Sequence, residues 1–337
     1  MRALVVHPGP EYSVADVYTG WVKGLRELGI QTQEYNLHDR LNFFAQSYHK
    51  TADGDYVKSV EGDDVAHLAA SGLKQACYDW WPDLVVVVSG FFIHPLLLDV
   101  MRDRGHKVAA VFTESPYEDD RQLEQCDRFD AVVVNDPTNL DQFLERNPNS
   151  LYLPHCFDPY IHRPGRSDYK SDVAFVGTAY PSRRKYLERV DWTGIDLALA
   201  GNWKDVGPPL SEFVIHDPED CLPNDQTALV YRGTKASFNL YRTEASAPEL
   251  SEGWAMGPRE VELAATGTWF ARQSRPESDE LFPMLPIFES PAELGDQLRW
   301  AIAHESERLL AARKARAVVA DRTFDANARR LLSALGV

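Results

Sequence analysis

The sequence contains no run of eighteen apolar residues, so no segment of it is expected to cross a bilayer as a helix. Its opening, Met1-Arg2-Ala3-Leu4-Val5-Val6-His7-Pro8, has too short an apolar part for a secretory leader and reads as a first strand. Cysteine is sparse. Cys77, Cys126, Cys156 and Cys221 stand singly, with no Cys-x-x-Cys pair. That argues against a disulfide frame or a zinc site and fits reduced thiols in a cytoplasmic protein. Positive charge is also in deficit, with 35 Lys and Arg against 51 Asp and Glu, a formal charge of −16. General nucleic-acid binding needs clustered cations to neutralise phosphate, so nucleic acid is an unlikely partner. The densest basic stretch, Arg313-Lys314-Ala315-Arg316 with Arg322, Arg329 and Arg330, falls at helical spacing among Ala and Leu and reads as a solvated helix face. Gly-x-Gly-x-x-Gly is missing too, which disfavours NAD.

What is present is an ordinary globular composition, 44% hydrophobic and 26% charged. At 337 residues, two domains are the natural expectation. Ala3 to His7 reads as a strand ending in the turn Pro8-Gly9-Pro10, Val14 to Leu28 as a helix stopped by Gly29, and Thr32 to Leu37 as a second strand. Residues 38–61 are polar and irregular, and are expected to be an insertion or a flexible loop. Val65 to Trp80 is a helix, and Leu84-Val85-Val86-Val87-Val88 has the continuous branched character of a central parallel strand. His94 to Gly105 is the next helix, with further strands at Val108–Phe112 and Ala131–Val134.

Ligands of open parallel sheets sit outside the carboxyl ends of the strands. The candidates in this half are therefore His7, Gly9, Ser89, Glu114, Tyr117 and Asn135. A partly shielded carboxylate at Glu114 is suited to act as general base on a hydroxyl. Alternatively it caps the helix that follows. His7 beside its turn is either a catalytic group or a structural one. Asp53-Gly54-Asp55 has the form of a metal-chelating Asp-x-Asp, but its loop and flanking lysines make no metal the expectation.

The second half opens at Asp172-Val173-Ala174-Phe175-Val176-Gly177-Thr178, a strand and turn leading into Ser182-Arg183-Arg184. Gly177 lets the backbone approach a ligand, and Arg183 or Arg184 supplies charge to phosphate oxygens. Later, Tyr231 to Arg242 places Lys235 and Asn239 four residues apart, and Pro258-Arg259-Glu260-Val261-Glu262-Leu263-Ala264-Ala265-Thr266-Gly267 reads as a short helix closed by glycine. A helix start favours phosphate, Arg259 can pair with it bidentately, and Glu262 can accept both hydrogen bonds of a ribose cis-diol. Alternatively the two glutamates face water and Arg259 pairs with one of them. Ile287-Phe288 reads as a late strand, 292–304 and 305–318 as amphipathic helices, and Thr323 onward as a last helix.

Arg-x-x-Glu-x-x-Ala-x-Gly before the strand Thr268-Trp269-Phe270-Ala271 resembles the donor-site helix of GT-B glycosyltransferases, in particular the spore-maturation (CgeB-like) group. Leu153-Pro154-His155 followed by Asp158-Pro159 and His162-Arg163-Pro164 resembles that group's interdomain segment, as does Tyr231-x-x-x-Lys235-x-x-x-Asn239 its donor-side strand. The resemblance implies an α/β GT-B fold: two Rossmann-like domains with parallel sheets facing across a cleft. The first, 1–158, binds acceptor, the second, 159–320, binds donor, and a helix at 321–337 packs back on the first. It implies transfer of a sugar from a nucleoside-diphosphate sugar, UDP-linked, to an acceptor hydroxyl on a protein, glycan, small molecule or modified DNA base, with neither metal nor cofactor. Donor contacts fall to Gly9, Gly177, Thr178, Arg183, Lys235, Asn239, Arg242, Arg259 and Glu262, and catalysis to Glu114 and His7. Where retaining members carry a second Glu, eight residues before Glu262, this sequence has Trp254, with Glu252 out of register. Retaining or inverting stereochemistry is therefore open. A sugar-nucleotide 2-epimerase and a non-catalytic sugar-nucleotide scaffold are the alternatives.

Overall fold

A computed structural model describes residues 1–9, 12–218, 222–245 and 252–337. Pro10, expected in the first turn, and Cys221 lie outside these. The chain divides into two compact units, Met1–Leu153 with Phe324–Val337, and Pro154–Thr323.

The first unit runs β1 (Arg2–Val6), α1 (Tyr12–Glu27), β2 (Gln31–Tyr35), α2 (Leu37–Ala45), β3 (Tyr48–Lys50), β4 (Tyr56–Lys58) and α3 (Asp63–Trp80). It continues through β5 (Leu84–Val88), α4 (Pro95–Asp103), β6 (Lys107–Val111), α5 (Asp119–Leu123), β7 (Ala131–Val134), α6 (Leu140–Arg146) and β8 (Ser150–Tyr152). Its six-stranded sheet has the order β2-β1-β5-β6-β7-β8, with every pair parallel. Buried helices cover both faces, which is why β5 is apolar at every position instead of alternating.

Residues 38–61 are not irregular. Asn36 accepts the Asp39 N–H at 3.0 Å and starts α2, whose buried Leu37 and Leu41 lie four residues apart. Leu37 therefore leaves the expected strand for the helix. After it comes the β3–β4 hairpin, paired Tyr48 with Lys58 and Lys50 with Tyr56. All six hairpin residues are exposed, so no alternation of apolar and polar side chains marked them as strands.

The second unit holds β9 (Ser171–Val176), α7 (Pro181–Leu187), β10 (Leu197–Ala200), α8 (Asn224–Gly233), β11 (Thr234–Asn239), α9 (Pro258–Thr266) and β12 (Trp269–Arg272). Then follow α10 (Pro276–Leu281), α11 (Pro291–Ala303) and α12 (Glu305–Val318). Its four-stranded sheet, again all parallel, has the order β10-β9-β11-β12. The late strand expected at Ile287-Phe288 shrinks to a single bridge between Ile287 and Arg272. Arg313, Lys314 and Arg316 do face solvent on α12 while Ala312 and Ala315 are buried, but Arg322 is drawn inside to Glu277 at 2.7 Å.

The last helix, α13 (Phe324–Leu335), returns to the first unit and packs on α1. Ala328 and Leu331 share the core with Trp21, Val22 and Leu25. The two helices approach closely because α1 offers Gly20 and Gly24. A Cβ on Gly24 would lie 2.6 Å from the Phe324 carbonyl carbon, and one on Gly20 would enter the Phe324 ring. Gly24→Leu is expected to lower the unfolding free energy by about 2 kcal/mol, the usual scale of overpacking. Urea denaturation measures it, and an unchanged midpoint would show that this contact carries no stability.

Candidate functional site

In each sheet the chain reverses its direction of growth between two neighbouring strands, and ligands of such folds bind outside the carboxyl ends at that switch. In the second unit the switch lies between β9 and β11. Arg259 sits astride it. Its Nε donates to the Val176 carbonyl at the end of β9 at 2.6 Å, and its Nη1 donates to Asn239 Oδ1 at the end of β11, also at 2.6 Å. The guanidinium lies over the Phe175 ring, 4.5 Å from its centre. Gly177 makes room for this, since a Cβ there would stand 2.2 Å from Arg259 Nη2. With Oδ1 committed to Arg259, the Asn239 amide presents Nδ2, which is buried and has no hydrogen-bond partner among the described residues. A buried unmet donor costs about 1–3 kcal/mol, which makes Nδ2 a candidate to meet an incoming acceptor atom.

Arg259 is carried by α9, which starts with Pro258 after Gly257 and stops at Gly267, whose φ of 77° suits glycine. Val261, Leu263, Ala264 and Ala265 bury the helix against the sheet. The start is fixed from inside. Glu260 is fully buried and accepts from the Gly257 N–H at 3.1 Å, the Ser278 hydroxyl at 2.7 Å and the Tyr241 hydroxyl. Burial pushes its carboxyl up, opposed by these hydrogen bonds. Next to it, Glu277 accepts from the Met256 N–H at 2.8 Å and from Arg322 at 2.7 Å. The alternative in which both glutamates face water is therefore wrong for Glu260, and Arg259 pairs with Asn239 instead of a glutamate.

Glu262 lies one turn after Arg259 on the same side of α9. Tyr231 is buried, and burial together with the nearby Glu262 raises the pKa of its hydroxyl. On the other flank, His162 Nε2 is 3.8 Å from Glu262 Oε1 and 3.1 Å from Asn224 Oδ1. Burial pushes His162 down to about 4, so the ring is neutral near pH 7.

Other expected donor residues scatter. Arg183 is buried, and it donates to the carbonyls of Leu240 at 2.8 Å and Thr178 at 3.1 Å, tying the turn after β9 to the end of β11. Arg242 reaches the Tyr180 hydroxyl at 3.1 Å, beside the same turn. Lys235 is not with them. It stands at the amino end of β11, paired with Asp172 at 2.6 Å, beside a hollow of about 580 Å³ that also meets Thr234 and Arg308. Four residues of strand span roughly 13 Å, so Lys235 and Asn239 occupy opposite edges of the sheet.

In the first unit the switch lies between β1 and β5. His7 and Gly9 follow β1; the Gly9 N–H donates to His7 Nδ1 at 3.1 Å, which leaves the ring proton on Nε2. Burial, with His38 nearby, lowers the His7 pKa. Glu114 follows β6 at the next position in the sheet, half-buried, its N–H 3.4 Å from Gln122 Oε1. Gln122 and Asn139 in turn bind the buried Asp119 carboxylate at 2.8 Å each, so a polar network backs the loop that carries Glu114. The residue preceding α5 is Glu118, whose own side chain makes no cap there.

Sequence reasoning missed Glu260, Tyr231 and His162 as parts of the site. Glu260 had a signal, a glutamate three residues after an N-cap position. Tyr231 and His162 fell inside phrases that resemble the family's, but nothing local in the sequence showed which segments meet at them.

Glu260→Ala strands three donors in the interior and is expected to cost at least about 3 kcal/mol, read by chemical denaturation. The depressed His162 pKa has its own signature. Between its folded value of about 4 and the unfolded value of 6.5, the unfolded chain binds the extra proton. Stability from this group is thus full above pH 6.5 and falls as pH drops toward 4, by about 3 kcal/mol in total. His162→Leu is expected to flatten that part of a denaturation-against-pH curve.

Residues 183–333 match the protein family described as Glycosyl transferase-like. No curated protein matches the sequence. The architecture is similar to that of sucrose-phosphate synthase from Thermosynechococcus elongatus, with a TM-score of 0.64 at 11% identity over 99% of this chain and 98% of that one. Anabaena HepE, solved in complex with UDP-glucose, gives 0.62 at 12% identity over 100% of this chain and 99% of that one. A trehalose-6-phosphate protein from E. coli, bound with UDP-2-fluoro glucose, gives 0.60 at 10% identity over 99% of each chain. The fold is α/β of the GT-B type, and the family match over residues 183–333 supports sugar transfer.

Proposed function

We propose that this chain is a glycosyltransferase of the CgeB-like kind, which takes a sugar from a UDP-sugar to an acceptor hydroxyl without a metal. The observation that carries the reading is the arrangement at the β9–β11 switch: Arg259, its contact glycine Gly177, the unmet amide of Asn239, and Glu262 one helical turn away. The start of α9 and Arg259 stabilise the diphosphate, and the Glu262 carboxylate accepts from the ribose hydroxyls. In the transfer, the acceptor oxygen forms its bond to the anomeric carbon as the bond from that carbon to the diphosphate breaks. The diphosphate leaves with the electron pair, its charge met by fixed donors. The hydroxyl proton goes to a base, for which Glu114 is our candidate. Arg183 and Thr178 shape the turn that faces the diphosphate. Lys235 has no part in this assignment.

A sugar-nucleotide 2-epimerase is the second reading, favoured by the likeness to a putative UDP-N-acetylglucosamine 2-epimerase from Listeria monocytogenes, with a TM-score of 0.59 at 12% identity. Product analysis with a UDP-sugar distinguishes free UDP from an epimerised nucleotide sugar.

Glu262→Ala is expected to abolish donor binding in calorimetry while the melting transition stays nearly unchanged. Unaltered affinity would remove Glu262 from the site. A thermal-shift panel of UDP-, GDP-, dTDP- and ADP-sugars tests the base, with UDP-sugars expected to give the largest stabilisation.

A further inference from the structure

We propose that the hollow at the amino edge of the second unit's sheet is a separate binding site, which takes a small organic phosphate. Lys235, unused at the β9–β11 switch, stands in its wall. The hollow, about 580 Å³, falls within the range of small-molecule sites, roughly 300–1,000 Å³. It lies at the other end of β11 from Asn239, so its occupant and a nucleotide at the switch do not compete for space. Its charge is opposite to that of the whole chain. Among the described residues that line it, Lys170, Arg232, Lys235 and Arg308 stand against Asp172 and Asp196. Across the chain, by contrast, 35 basic residues face 51 acidic ones.

Two of the four cations are already committed. Lys235 pairs with Asp172 at 2.6 Å, and the buried Arg308 donates to the Ala301 carbonyl at 2.8 Å with Glu305 at 3.7 Å, tying α12 to α11. Arg232 and Lys170 differ. Arg232 gives Nε to the Arg163 carbonyl at 2.7 Å and Nη2 to the Ile161 carbonyl, while Nη1 has no partner among the described residues. Lys170 donates to the Ser167 carbonyl at 3.0 Å, and neither cation makes an ion pair among the described residues. Burial, with the charge of Arg163, holds the Arg232 pKa below its ordinary value, as for a cation short of a counter-ion. The ends of α8 and α9, at Gly233 and Thr266, also meet the hollow. Each carries about half a negative charge, so together they offset about one cation and leave an excess to which Arg163 adds. A phosphate monoester, at about −1.5 to −2 near pH 7, matches that excess better than a monocarboxylate does. The Thr234 and Thr268 hydroxyls donate to the Ala236 and Tyr231 carbonyls, which leaves their oxygens to accept from ligand hydroxyls. Leu309 and Ala312 on α12 form an apolar wall for the carbon part.

Calorimetric titration of the full chain with glycerol 3-phosphate, glycerate and glycerol is the test. Only glycerol 3-phosphate is expected to bind, with a dissociation constant that saturating UDP leaves unchanged. Arg232→Gln and Lys170→Ala are each expected to weaken it by about tenfold, the scale of a hydrogen bond to a charged group. Arg259→Ala, at the opposite edge of the sheet, is expected to leave it unaltered. Should Arg232→Gln fail to fold by circular dichroism, the exposed Lys170→Ala gives the same reading. Absence of binding by wild type at millimolar concentration, equal binding of glycerate, or unaltered affinity in the folded Arg232→Gln and Lys170→Ala variants overturns the proposal. So does loss of binding in Arg259→Ala, which would place the phosphate at the β9–β11 switch instead.

Discussion

Among the described residues, a carboxylate buried with no ion pair of its own, Glu260, ties together the carboxyl edge of the second unit's sheet. Glu260 draws donors from three separate stretches: the Gly257 cap, Tyr241 just beyond β11, and Ser278 on α10. Taking such a group out of water is costly, and only a full set of donors offsets it. The three stretches are thereby committed to one geometry. Because α9 begins at that point, the direction in which Arg259 and Glu262 project follows from an interaction that neither of them makes.

The same economy governs the arginines. Arg259 and Arg183 each give hydrogen bonds to main-chain carbonyls near the sheet's carboxyl edge, at Val176, Leu240 and Thr178. Their charge is kept close to the switch while their planes are fixed, Arg259 over Phe175 and Arg183 near Tyr180. An arginine anchored in this way loses little freedom when an anion arrives, which is the advantage of a rigid fork over a lysine. The contact demands a residue without a Cβ at Gly177, so the turn and the helix constrain each other.

The alternation of branched strands with helices and the absence of a dinucleotide fingerprint were readable from residues alone, and so were the candidates at strand ends. Gly177, Asn239 and Arg259 do converge, because each follows from strand polarity and helix register, which are local. Lys235 did not join them: matching the spacing Lys-x-x-x-Asn to a single surface ignored that a strand carries residues four apart to opposite edges. The α2 helix and the β3–β4 hairpin were hidden by exposure, since an element with few buried side chains leaves no apolar period. His162 was within a recognised phrase, but its partner Asn224 lies sixty-two positions away, and no periodicity reports that distance.

Because residues 324–337 belong to the first unit, its core can be completed only after the whole second unit has been synthesised. The segment that begins emerging first waits for α13 to complete its core around Ala328 and Leu331. The inserted unit, contiguous from Pro154 to Thr323, has every strand it needs before α13 leaves the ribosome. On a growing chain the later unit can therefore close while the earlier one still exposes apolar surface along α1, the interval in which such surfaces invite mispairing.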